Sequence, residues 1–307
     1  MSSITDEKPS SLRRLSSNAG AALLIYTIAR LVAMVVNDLV ITISGTEGNS
    51  GKIAEYAGYA AGILLVGLFL KNNVPAKDIF KDRRSITPEA LLMLFVFYMG
   101  IRFPAELIND AAIKLTEIFG SSIQEAADLA YGKNKQLVFS ELLFSGVIGP
   151  VAEEIIYRGF LMHRLEKHGR VFAIVTSAAL FGLMHHNPIQ LISAGLGGLV
   201  LGYAAMRYGI KWSMLMHIFN NLVLVALLQN GLGQLTGAEV MEYITTGMTA
   251  AAFIASAVYT FRHRNEVKEQ LSREESVPKR DYFYIYLSIP MVIFVLFNII
   301  LMAGEFK

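Results

Sequence analysis

Gly149-Pro150-Val151-Ala152-Glu153-Glu154-Ile155-Ile156-Tyr157-Arg158-Gly159-Phe160 sets two carboxylates and an arginine into the apolar run Leu137–Phe160. A helix that crosses a bilayer needs about 20 mostly apolar residues. A charge inside one is costly enough to mark a functional site by default. Glu154 and Arg158 stand four residues apart, so they share a helix face and can pair. Glu153 points about 100° away from Glu154, because successive helical residues turn by that angle. It has no built-in counter-ion and is therefore available as a base. Pro150 removes one backbone donor just before the pair, which can bend or start the helix there. Packing asks for one ion pair; the extra glutamate asks for a chemical role.

The rest of the chain agrees with a membrane setting. Of its 307 residues 54% are hydrophobic and 17% charged, against roughly 25% charged in soluble domains. Mean hydropathy is +0.47. Lys and Arg number 27 against 25 Asp and Glu, a net charge of +2 that offers no basic face for nucleic acid. There is no cysteine, which excludes disulfides, thiolate nucleophiles and Cys-ligated metals. The expected fold is all-α, a polytopic transmembrane helical bundle with about eight or nine spans. The candidates are Ala21–Ser44, Tyr56–Leu70, Leu91–Phe103, Leu137–Phe160, Val171–His185, Ile189–Met206, Trp212–Leu228, Thr245–Phe261 and Phe283–Ala303. Polar residues Met1–Asn18 precede a full-length span, so the start does not read as a cleavable signal peptide.

Arg13 and Arg14 before the first span, and the Lys/Arg groups after the second and fourth, predict a cytoplasmic N-terminus. The segment Pro104–Lys135 carries Leu107, Ile108, Ala111, Ala112, Leu115 and Ile118 at helical spacing and is expected along the interface. Residues 1–130 read as an accessory membrane-helical region and 131–235 as a core that holds the catalytic-looking block. Residues 236–307 read as C-terminal helices with a charged cytoplasmic linker, His263–Arg280. Arg30 and Asp38 in the first span read as structural. The Gly198-x-x-x-Gly202 spacing predicts close helix packing.

Two further polar points fall in neighbouring spans. Phe181-Gly182-Leu183-Met184-His185 ends the fifth, and His217-Ile218-Phe219-Asn220-Asn221 puts His217 and Asn221 four apart in the seventh. Together with Glu153 and Glu154 these residues hold a base, a water-orienting group and two donors for a developing oxyanion. That inventory suffices to hydrolyse an amide without a covalent nucleophile. One tension accompanies it. The expected spans put Glu153 and His217 toward the cytoplasmic half but His185 near the outer end of its helix.

The run Glu153-Glu154-x-x-x-Arg158, then Phe181-x-x-x-His185, then His217-x-x-x-Asn221, resembles the three-motif signature of the CAAX-processing and bacteriocin-processing membrane proteases. Relatives of that family include the Ras-converting type of prenyl-protein endopeptidase. The resemblance covers residues about 145–225. It implies a glutamate-dependent intramembrane endopeptidase without a cofactor, in a prokaryotic plasma membrane. Glu153 and His185 would then activate water, His217 and Asn221 would form the oxyanion hole, and Glu154 and Arg158 would support the site by their ion pair. The implied partners are a peptide or membrane-protein substrate, the lipid bilayer, and a membrane signalling or secretion partner. The residues alone leave a zinc reading open, since Glu153, His185 and His217 could supply three ligands, although no His-Glu-x-x-His pair is present. The alternative function is a non-proteolytic membrane scaffold, such as a bacteriocin self-immunity or signalling partner, on the same fold.

Overall fold

The computed structural model describes residues 9–44, 60–62, 64, 66–67, 76–130, 139–273 and 278–307. These are helical and contain no strand. Helix α1 is Pro9–Ser44. Its buried stripe (Leu12, Leu15, Ala19, Leu23, Tyr26) recurs every three or four residues, whereas Val32, Val35, Leu39 and Ile43 are exposed apolar side chains. Helices α2, Pro88–Gly100, and α3, Arg102–Ile118, follow each other across Ile101. The start of α2 is set by Thr87, whose hydroxyl accepts from the Ala90 N–H at 3.2 Å, with Pro88 in the first turn. Helix α4 is Gln124–Ala130.

The central hairpin comes next. Helix α5, Gly149–Glu154, lies between two π-helical segments, Phe144–Ile148 and Ile155–Met162. Helix α6, Arg170–Leu183, returns beside it after the turn at Glu166–His168. Helix α7, Pro188–Tyr208, starts at Asn187, whose side-chain oxygen accepts from the Ile189 and Gln190 N–H groups at 3.0 and 3.1 Å. Helix α8, Ile210–Ile218, runs into a third π segment, Phe219–Leu232. Helices α9, Ala238–Arg262, and α10, Ile289–Ala303, complete the bundle.

Five helical stretches are long and apolar enough to cross a membrane: Leu12–Val36, Pro88–Ile118, Pro188–Tyr208, Ile210–Thr236 and Glu239–Arg262. Arg170–Leu183 and Ile289–Ala303 are apolar but shorter. The expected count of eight or nine is therefore not reached among the described residues. Tyr56–Leu70 and the side chain of Asp38 lie largely or wholly outside them. The Leu91–Phe103 span is longer than expected, because α3 continues α2 into one Pro88–Ile118 stretch. The amphipathic α3 also docks into the bundle: the buried Asn109 amide donates to the Ile189 carbonyl at 3.3 Å and to the Ser193 hydroxyl at 3.0 Å. The charged linker is itself helical over Arg264–Arg273.

Helices α6 and α7 meet along a seam of small residues. A Cβ on Gly198 would stand 3.2 Å from the Ala178 Cα, and one on Gly202 would stand 3.1 Å from the Ile174 side chain. The tightest point is Gly182, where a Cβ would lie 2.5 Å from the Leu191 carbonyl oxygen. Backbone cannot yield as a side-chain tip does. Gly182→Ala is expected to cost about 1–3 kcal/mol of stability, read as a lower unfolding midpoint in detergent.

Candidate active site

Three elements bring the motif residues together. Glu153 and Glu154 end α5, Arg158 follows one turn later in the π segment, and His217 ends α8. All four are buried, with Glu154 at 0% exposure and Arg158 at 2%. The Arg158 Nη1 donates to Glu154 Oε1 at 2.9 Å. The same Oε1 lies 3.1 Å from His217 Nδ1. A carboxylate oxygen accepts, so Nδ1 carries the proton of that bond. One glutamate oxygen thus neutralises the arginine and fixes the orientation of the histidine. The other imidazole nitrogen, Nε2, lies 3.8 Å from Glu153 Oε2.

Arg158 is held on three sides. Its Nη2 donates to the Gly198 carbonyl of α7 at 3.2 Å, and its Cζ lies 4.3 Å from the centroid of the Phe181 ring. The Phe181 ring is also nearly perpendicular to both imidazoles, 5.0 Å from His185 and 5.7 Å from His217 between centroids. The phenylalanine of the second motif is therefore the wall on which the other two motifs rest. His185 Nδ1 lies 2.9 Å from the Phe181 carbonyl. A carbonyl only accepts, so Nδ1–H donates, and the Nε2 of neutral His185 is left with a lone pair.

The depth conflict of the sequence reading narrows, because the turn between the two helices comes later in the chain than expected. The helical path continues past Phe160 to Leu165 and turns at Glu166–His168. Glu153 stands twelve residues before Leu165, and Phe181 stands eleven after Arg170. His185 follows Phe181 by one further turn, and its ring packs back against the Phe181 ring at 5.0 Å between centroids, the same ring that meets Arg158 and His217.

Asn221 is placed differently from expectation. His217 and Asn221 would share a face in an α-helix, but the chain enters its π segment at Phe219. A π-helix bonds i to i+5 and so shifts that register. The Asn221 Nδ2 donates to the Ser145 carbonyl at 3.1 Å, and its Oδ1 accepts from Asn220 Nδ2 at 2.9 Å. Arg102 at the start of α3 donates in turn to Asn220 Oδ1 at 3.0 Å. Neither Asn220 nor Arg102 was among the expected site residues. The one available signal was that Arg102 stands just inside the end of the apolar run Leu91–Phe103. Arg30 on α1 was read as structural; its Nη1 lies 3.8 Å from the sulfur of Met184, the neighbour of His185.

Residues 135–223 are similar to the Rce1-like family. The family is described as type II CAAX prenyl endopeptidase Rce1-like, and the matched segment contains all seven motif residues, from Glu153 to Asn221. Arg30 and Arg102 fall outside it. No curated protein and no solved structure is detectably similar to the chain. Among the described residues no group of three or more His, Asp or Glu side chains is arranged to hold a metal ion.

Proposed function

We propose that the chain is an intramembrane endopeptidase that hydrolyses a peptide bond with a water activated by Glu153 and His185. The observation that carries this reading is the shared Glu154 Oε1, which holds Arg158 and His217 at once and leaves His217 Nε2 3.8 Å from Glu153 Oε2. Glu153 accepts the proton of the attacking water, and the Nε2 lone pair of His185 orients that water. His217 Nε2, when protonated, and the second Asn221 N–H donate to the oxyanion that forms on the scissile carbonyl. The proton taken by Glu153 passes to the leaving amine, so acid and base balance over one turnover. Glu154 and Arg158 act on the reaction through His217 and are supporting residues.

The similarity to the Rce1-like family supports a peptide substrate presented at the membrane, and the family description points to prenylated CAAX sequences. The test is cleavage of a quenched fluorogenic peptide ending in a farnesylated CAAX sequence, by the full chain reconstituted in liposomes. Cleavage is expected at one bond and is expected to continue at the same rate in excess 1,10-phenanthroline. Loss of activity with the chelator, restored by added zinc, would replace the Glu-activated water with a metal-bound one.

A further inference from the structure

Arg102 opens α3 in the middle of the Pro88–Ile118 stretch, where a charged side chain is expensive unless it is used. Its guanidinium fork hydrogen-bonds two side-chain amides, with the Glu106 carboxylate one turn further along α3. It donates from Nη1 to Asn220 Oδ1 at 3.0 Å and from Nη2 to Gln229 Oε1 at 3.3 Å. Both acceptors belong to the π segment that also carries Asn221. We propose that Arg102 is a positioning residue for the Asn221 amide, acting through Asn220. The proposal rests on the oxyanion role given to Asn221 above.

The donor and acceptor accounting leads there step by step. An amide has one oxygen and one NH₂ group on opposite sides. With its oxygen held by Arg102, Asn220 must present Nδ2 on the other side, where it donates to Asn221 Oδ1 at 2.9 Å. With its own oxygen held, Asn221 presents Nδ2 away from Asn220, and one of its two hydrogens goes to the Ser145 carbonyl at 3.1 Å. The second hydrogen is the one available to an oxyanion. Each bond fixes the next, and the cation at the head polarises both amides in the direction that makes the last N–H a better donor. Adjacent helical side chains normally diverge and do not face each other. The Asn220–Asn221 bond therefore needs an outside anchor, and Arg102 supplies it from a helix that lies outside the Rce1-like segment.

A purely structural staple and a relay predict opposite results for Asn220→Asp. This variant gives Arg102 a better partner, a carboxylate, but removes the N–H that orients Asn221. The assay is turnover of the farnesylated CAAX peptide by the reconstituted full chain, alongside unfolding midpoints. The relay predicts that Asn220→Asp and Arg102→Met each lower kcat by about 10- to 100-fold with KM within about threefold, less than the roughly 10²–10³-fold loss expected for Asn221→Ala itself. Adding Arg102→Met to Asn221→Ala is expected to cost no more than about threefold, because groups acting as one unit are not additive. Wild-type activity in Asn220→Asp would overturn the proposal, as would losses that multiply in the double variant. If those results appear while Asn221→Ala is still crippled, only the relay fails. Full activity in Asn221→Ala would remove the oxyanion role of Asn221, and the relay with it.

Discussion

Arg158→Met is expected to destabilise the protein by about 3–5 kcal/mol, because it leaves the Glu154 carboxylate buried without its cation. The side chains of both partners are 0% exposed, so water cannot replace the lost charge. The same change also removes the donation to the Gly198 carbonyl and the contact over Phe181. Glu154→Leu alone should be similarly damaging, since it strands Arg158 instead. The double variant Glu154→Leu/Arg158→Met separates stability from function. Replacing a buried pair by apolar groups of similar volume is often neutral or stabilising, so its unfolding midpoint in detergent is expected near that of the wild type. It is nevertheless expected to be inactive, because His217 Nδ1 has lost the oxygen that orients it. A double variant as unstable as the singles would mean that the pair is held for packing shape and not for charge balance.

His185→Ala is expected to reduce kcat by about 10²–10⁴-fold, the range for losing a group that handles a proton in the transition state. The Phe181 carbonyl fixes which imidazole nitrogen is protonated, so the lone pair on Nε2 is available in the resting neutral site. Adding Glu153→Gln should cost little more, since either residue without the other cannot activate the water. Multiplying losses would show that the two act on separate steps. Removing the imidazole also takes away a contact with the Phe181 ring, at 5.0 Å. Its effect on the unfolding midpoint is expected to be about 1 kcal/mol or less, small beside the kinetic loss.

Much of this site was legible in the sequence. Charges inside apolar runs are rare enough that Glu153, Glu154 and Arg158 stand out without help. Helical spacing alone pairs Glu154 with Arg158, as the structure has it. What spacing does not carry is sharing between helices. The Glu154–His217 bond joins residues 63 positions apart, and Phe181 reads as an apolar motif residue until its ring is seen against Arg158 and both imidazoles. The π segments were also invisible, because one extra residue per turn leaves no hydrophobic period of its own over so short a stretch. The hydrogen bonds of Asn221 to Asn220 and Ser145 were invisible for the same reason, since they form inside and beside such segments. Arg102 was passed over because it stands at the edge of an apolar run, where a charge normally reads as a boundary. In the structure α3 continues the helix beyond it, and the same residue becomes an interior one.

The most direct measurement is mass spectrometry of the products formed from the farnesylated CAAX peptide by the reconstituted wild type and Glu153→Gln. Gln keeps the shape of the side chain and removes its basicity, so the buried site should stay assembled and the unfolding midpoint should hardly move. The account predicts a single new pair of termini with the wild type and, at equal protein and time, at least about 100-fold less with Glu153→Gln. Cleavage by Glu153→Gln within about threefold of the wild type would contradict it, since proton transfer by a positioned side chain is worth far more than that.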